Sequence, residues 1–265
     1  MATQFHFISG LPRAGSTLLC NILNQNPRFH ATSTSGILDI IRNINNGWED
    51  NIARAAAPNK RGKMNVMKGI LPSYYADVER PVVFDKSRGW VGKIELAEAI
   101  TGEQVKVLVP VRKITDILGS FEKLFRKNEA DFPFPQAKQF PKEFQSIAGR
   151  AEVFMKADQP VGYAYQLLQD AFDRGYGDRL CLIPFTNLTS DPGRVMDAVY
   201  DWLGEERFVH DFDNVEQTTH ENDDIHGIPG LHTIRGKVSP LVDDAQAVLG
   251  DVVYDKWHDA QFWER

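Results

Sequence analysis

Two cysteines among 265 residues, Cys20 and Cys181, are too few and too far apart for a disulfide framework or a Cys-based zinc site. They fit a reducing compartment. Nor does any stretch approach the roughly 20 apolar residues that span a bilayer, and Met1 to Phe7 lacks the basic start and apolar run of a secretory signal. The expectation is a soluble, cytoplasmic chain that does not engage membranes. Excess positive charge is missing too: 30 Lys and Arg against 36 Asp and Glu leave a net charge of −6, so general attraction to nucleic acid works against the protein's own field. Any anionic ligand must be held by a local arrangement. Repeats and low-complexity tracts are absent, and 42% apolar with 25% charged residues excludes a disordered or collagenous chain. The length and the lack of a clear boundary predict one domain over 1–265, with inserted loops near 45–63, 132–144 and 205–240.

What is present is a repeated order of short apolar run, turn and amphipathic segment. Phe5, Phe7 and Ile8 precede Ser9-Gly10, after which Leu18, Leu19, Ile22 and Leu23 keep helical spacing until Asn26-Pro27. Val82 to Phe84 is followed by Ile94, Ala97 and Ile100; Val105 to Val111 by Ile114, Ile117, Leu118, Phe121, Leu124 and Phe125. Leu180 to Ile183 reads as a late strand, and Asp191-Pro192 opens a helix that Gly204 closes. Alternation of this kind predicts an α/β fold whose parallel sheet is covered on both faces. Between the units, Asn45 to Lys63 reads as a polar surface loop. The Phe-Pro segment Phe132 to Phe144 reads equally as a lid or as a loop tucked against the core. Asp211 to Asp224 reads as a solvated acidic loop, because its spacing matches no metal-binding motif.

The sharpest local signal is Gly10-Leu11-Pro12-Arg13-Ala14-Gly15-Ser16-Thr17, set between the first strand and the first helix. Two glycines allow a tight loop whose N–H groups converge on one anion, and the helix N-terminus adds partial positive charge. Ser16 and Thr17 add hydroxyl donors, and Arg13 adds a fork matched to phosphate or sulfate oxygens. Against the nucleoside-triphosphate loop G-x-x-x-x-G-K-[ST], the glycines and Thr17 are kept while Ser16 stands at the lysine position. Losing that lysine removes a principal contact to the β- and γ-phosphates. A donor with less charge at its reacting end, such as a phosphosulfate, fits better.

With these residues in view, the chain resembles the sulfotransferase family, in particular the branch with P-R-S-G-[ST]-T in its 5′-phosphosulfate loop. The matching residues are Pro12-Arg13-Ala14-Gly15-Ser16-Thr17, continuing to Asn26-Pro27. A strand ending in Arg112, with Ser120 eight positions on, matches the pair that holds the donor's 3′-phosphate in that family. Ile183 to Leu188, with Asp191-Pro192 and Trp202-Leu203-Gly204, looks like a third family segment and places the Phe185 ring near an adenine. Thr233 to Lys237 looks like the segment that closes over the nucleotide, with Lys237 reaching a phosphate. The resemblance implies a P-loop-like three-layer α/β/α fold with 3′-phosphoadenosine 5′-phosphosulfate (PAPS) as donor. It implies no metal, and an acceptor that is a small molecule, glycan or peptide.

The implied chemistry moves a sulfuryl group to a hydroxyl or amine by in-line displacement. Arg13 then holds the 5′-phosphosulfate, and Lys86, at the end of Val83-Phe84-Asp85-Lys86, contacts the bridging or sulfuryl oxygen. Two readings stay open beside it. Asp85 after three apolar residues resembles the Mg²⁺-holding strand of a small-molecule P-loop kinase, and a non-catalytic nucleotide-binding module needs no catalytic base. In the tyrosine-sulfating branch a Glu shortly after the first helix is that base. Here His30 to Ser35 contains no carboxylate, which leaves His30, His220 and His232 as unassigned candidates and counts against peptide tyrosine.

Overall fold

The computed structural model describes residues 3–128, 134–242 and 244–264. Five strands, β1 (Gln4–Ile8), β2 (Phe29–Thr34), β3 (Val82–Lys86), β4 (Val107–Val111) and β5 (Leu180–Pro184), form one sheet in the order β2-β3-β1-β4-β5. Every pairing is parallel. Successive side chains point to opposite faces, so the runs that read as continuously apolar feed two cores. Phe7, Val83 and Val109 pack on one face with Trp90, Ile114 and Leu168. Ile8, Phe84 and Leu108 pack on the other with Leu19, Phe29 and Tyr200. The fold is α/β with helices on both sides of a central parallel sheet and is P-loop-like, as expected.

Four helices fall where periodicity predicts them: α1 (Ser16–Leu23), Ile94–Thr101, Ile114–Asn128 and Pro192–Leu203. Pro192 occupies the first turn of the last of these, with the Asp191 carboxylate accepting from the Arg194 amide at 3.3 Å. Gly204 ends it at φ 75°, a left-handed conformation that costs glycine little. Strand β2 escaped the pattern because its sequence, Phe-His-Ala-Thr-Ser-Thr, has no apolar run. It is an edge strand, and its outer backbone is blunted by side chains. Asn24 accepts from the Ala31 amide at 2.7 Å and donates to the Ala31 carbonyl at 2.9 Å, while Arg80 donates to the Phe29 carbonyl.

One inserted segment differs from its sequence reading, and another follows one of its two. The polar stretch 45–63 is largely helical, shared among Ile37–Gly47, Ile52–Ala56 and Lys60–Tyr74. Asn51 and Asn59 cap the second and third of these helices by accepting from the Ala53 and Gly62 amides. In the Phe-Pro segment, Phe132 and Pro133 lie outside the described residues. From Phe134 onward the segment is anchored to the core at its two ends: Phe134 and Phe144 are buried and meet Phe125 and Phe154 in edge-on or tilted contacts. Among the described residues no helix is long and apolar enough to cross a membrane.

The sheet order has a functional consequence. The chain leaves β1 toward β2 and β3 on one side, then crosses to β4 and β5 on the other. The loops after β1 and β4 therefore part, opening a crevice at the carboxyl ends of the strands.

Candidate active site

That crevice is a cavity of about 290 Å³ whose lining includes Arg13, Gly15, Ser16, Thr17, Arg112, Ser120 and Phe185. Its floor is the loop between β1 and α1. Gly10 is demanded by close packing, since a Cβ there would stand 2.3 Å from the Pro110 carbonyl oxygen of β4. Gly15 is demanded twice, by its φ of 86° and by the Phe185 ring, 2.7 Å from where its Cβ would be. Arg13 is itself left-handed, at φ 59°. The loop thus turns sharply into α1, whose first amides have no intrahelical carbonyl partner. Ala14 is buried in the core and is not among the residues that line the cavity.

Arg13, Arg112 and Ser120, far apart in sequence, meet here. Arg13 donates through Nε to Ser120 Oγ at 3.1 Å and through a terminal nitrogen to the Leu231 carbonyl. Arg112 donates to the Arg13 carbonyl at 3.2 Å, lies 3.5 Å from Asp116, and stacks its guanidinium on the Phe185 ring at 4.6 Å. Burial lowers the Arg13 pKa, and the like charge of Arg112 adds to that effect, while Asp223 opposes it. Two guanidiniums brought together in a cleft are relieved by an anion between them. The expected division, Arg13 on one phosphate and Arg112 with Ser120 on another, is not drawn in the side-chain contacts: Ser120 bonds Arg13.

Thr233 and Lys237 also line the cavity, and Lys237 is an exposed cation whose partner Asp213, at 2.7 Å, raises its pKa. Lys86 ends β3 beside Ile8 of β1, so it shares the carboxyl edge of the sheet with the loop. Its ammonium group donates to Glu221 Oε1 at 2.8 Å. Asp85 faces the other way. It accepts from the Tyr75 hydroxyl and from Trp90 Nε1 at 2.6 Å within the core, and burial raises its pKa despite those donors.

Of the candidate histidines, His232 lines the cavity, whereas His30 packs edge-on to Tyr75 and lines, with the exposed His220, a separate groove along β2. His232 is held by Asp223, which accepts from its Nδ1 at 2.6 Å and its backbone amide at 3.0 Å. The acidic stretch is thus not simply a solvated loop: Glu221 and Asp223 keep only 12% and 13% of their side chains exposed. Sequence reading missed Glu221, Asp223 and Arg88, a further cation on the cavity wall. Glu221 meets Lys86 across 135 residues, and no local spacing signals that; Asp223 meets His232 only nine residues away, in a stretch that reads as solvated loop.

Comparison with known proteins identifies the family. The model of the sulfotransferase family matches residues 6–209. The chain belongs to the sulfotransferase family. Among solved structures, the sulfotransferase domain from the curacin biosynthetic pathway is 14% identical, with a TM-score of 0.53 over 99% of this chain and 92% of that one, a likeness of fold. The sulfotransferase STF9 from Mycobacterium avium is 15% identical at a TM-score of 0.47, covering 78% of this chain and 65% of that enzyme's length. Mouse sulfotransferase SULT7A1, solved in complex with PAP, is 12% identical at a TM-score of 0.48, covering 98% and 86%. A search of curated proteins gives no match. The family match includes the loop, Lys86, Arg112, Ser120 and Phe185; Glu221, His232, Thr233 and Lys237 lie beyond it.

Proposed function

We propose that this sulfotransferase moves a sulfuryl group from PAPS to a hydroxyl or amine of a small-molecule, glycan or peptide acceptor. The observation that carries the reading is the convergence of Arg13, Arg112 and Ser120 on one cavity at the mouth of the β1–α1 loop. The residues suit the donor's chemistry. Loop amides and the Ser16 and Thr17 hydroxyls hold the 5′-phosphosulfate, Arg112 and Ser120 hold the 3′-phosphate, and Arg13 bridges the two anions. The Phe185 ring, already stacked on Arg112, gives the adenine an apolar wall. Thr233 and Lys237, which also line the cavity, add a hydroxyl and a cation for the nucleotide's phosphates.

Catalysis in this reading is electrostatic. As the S–O bond to the phosphate breaks, charge develops on the bridging oxygen, and Lys86 with Arg13 stabilises it more than in the ground state. The kinase reading loses its footing at Asp85, whose carboxylate is taken up by Tyr75 and Trp90 inside the core. Thermal shift with 3′,5′-adenosine bisphosphate (PAP), ATP and GTP, each with and without EDTA, tests the proposal. Stabilisation by PAP in EDTA is expected; a shift only with ATP and Mg²⁺ replaces this reading with the kinase.

A further inference from the structure

The stretch His30 to Ser35 contains no carboxylate, yet one is docked on it. Glu221 Oε1 accepts from the Thr34 amide at 3.1 Å, from the Thr34 hydroxyl at 3.2 Å and from Lys86 Nζ at 2.8 Å. The segment that delivers Glu221 is pinned to α1. Asn21 accepts from the Thr219 amide at 3.0 Å and donates to the Thr219 hydroxyl at 2.9 Å, both in buried surroundings. A helix that begins at the phosphate loop therefore also sets the position of Glu221. Its second oxygen, Oε2, faces His232 Nε2 at 3.5 Å, and Asp223 holds the opposite side of that ring.

A counter-ion for Lys86 requires none of the second half of this arrangement. Burial works to raise the Glu221 pKa, but Lys86, the Thr34 amide and His232 together hold it down to about 2. In that state the carboxylate takes no proton from an alcohol, and Lys86 is neutralised by a side chain of its own protein. One exchange of partners alters both. When Lys86 turns to a sulfonate, Glu221 loses its main cation and becomes more basic, while its second oxygen still faces His232 on the cavity wall.

Resting on the reading that Lys86 meets the sulfuryl group, we propose that Glu221 is the general base for the acceptor, armed when donor binding draws Lys86 away. The acceptor's O–H or N–H proton passes to the Glu221 carboxylate as its lone pair forms the new bond to sulfur. The bond from sulfur to the bridging oxygen breaks, and its electron pair leaves on the 5′-phosphate of PAP. His232, fixed by Asp223, stabilises the Glu221 carboxylate before the transfer and is a positioning residue.

The test needs no knowledge of the natural acceptor, because water serves as nucleophile. The full chain is incubated with PAPS alone and release of PAP is followed by chromatography, while PAP affinity is measured separately by calorimetry. Glu221→Gln is expected to slow PAP release about 100-fold, within the range for a lost general base, and to change PAP affinity less than about threefold. Glu221→Asp is expected to recover part of the rate, and formate to rescue Glu221→Ala. Three results overturn the inference: wild-type PAP release by Glu221→Gln, loss of PAP affinity in step with the rate, or wild-type protein that binds PAP yet releases none above the buffer blank. Wild-type protein that does not bind PAP at all overturns the donor assignment itself, and this inference with it.

Discussion

Arg13 Nε donates to the hydroxyl of Ser120 at 3.1 Å across 107 residues of chain. This bond ties the loop after β1 to the helix after β4, the two elements that diverge at the switch point of the sheet. Whatever binds in the crevice meets both at once, which makes several consequences measurable.

Gly15 tests the loop itself. Alanine there must adopt a φ of 86° and push its methyl into the Phe185 ring. Gly15→Ala is expected to lose about 1–2 kcal/mol of stability and at least about tenfold in PAP affinity. Chemical denaturation and calorimetry read the two separately; unchanged PAP affinity contradicts the role of the loop.

Lys86 tests the chemistry. Lys86→Met is expected to abolish PAP release from PAPS while leaving PAP affinity within about threefold, because PAP lacks the sulfonate. The side chains of Lys86 and Glu221 are only 8% and 12% exposed, so removing one partner also costs about 3 kcal/mol of stability. The double variant Lys86→Met with Glu221→Gln regains part of that stability, which a denaturation cycle of the four proteins measures.

Much of this arrangement was open to sequence reading, and the parts that were not share a cause. The phosphate loop and four strands announce themselves through local spacing, since each depends on neighbours a few residues away, whereas Arg112 and Ser120 stand out only through the family resemblance. Strand β2 does not, because an edge strand covered by Asn24 and Arg80 needs no apolar run. The Phe-Pro segment keeps no period, so its burial against Phe125 and Phe154 depends on tertiary packing alone. Asn51 and Asn59 cap helices inside a stretch that reads as polar loop, and their role as caps shows only in the structure. For Glu221 no local signal existed, because it reaches Lys86 from 135 residues away.

Acid stability follows from two buried histidines. Burial is the main force lowering the pKa values of His6 and His210 to about 4, and Lys106 assists at His6. Both values lie below the ordinary 6.5, so the unfolded chain binds protons first. Stability is complete above about pH 6.5 and falls as pH drops toward 4, by up to about 3 kcal/mol for each histidine. His6→Phe is expected to flatten part of that decline in denaturation midpoints taken from pH 7 to 4. An unchanged pH profile contradicts the account.

A structural ion pair offers an independent check on the core. Glu122 accepts from Arg150 Nε at 2.7 Å and from Arg126 Nε at 2.8 Å, and Arg150 also stacks on Phe125 at 4.2 Å. Burial works to raise the Glu122 pKa, and the two arginines outweigh it. Arg150→Met is expected to cost about 3–5 kcal/mol, and Arg150→Met with Glu122→Leu distinctly less. Equal losses in the single and double variants contradict the pairing.

The most direct measurement of the central claim is calorimetric titration of wild-type and Arg112→Ala protein with PAP and with adenosine 5′-monophosphate, in EDTA. The account predicts that wild type prefers PAP, and that Arg112→Ala weakens PAP by about 10- to 100-fold, the worth of a charge-assisted contact, while barely altering the monophosphate. Equal affinity of wild type for the two nucleotides, or equal losses for both in the variant, contradicts it.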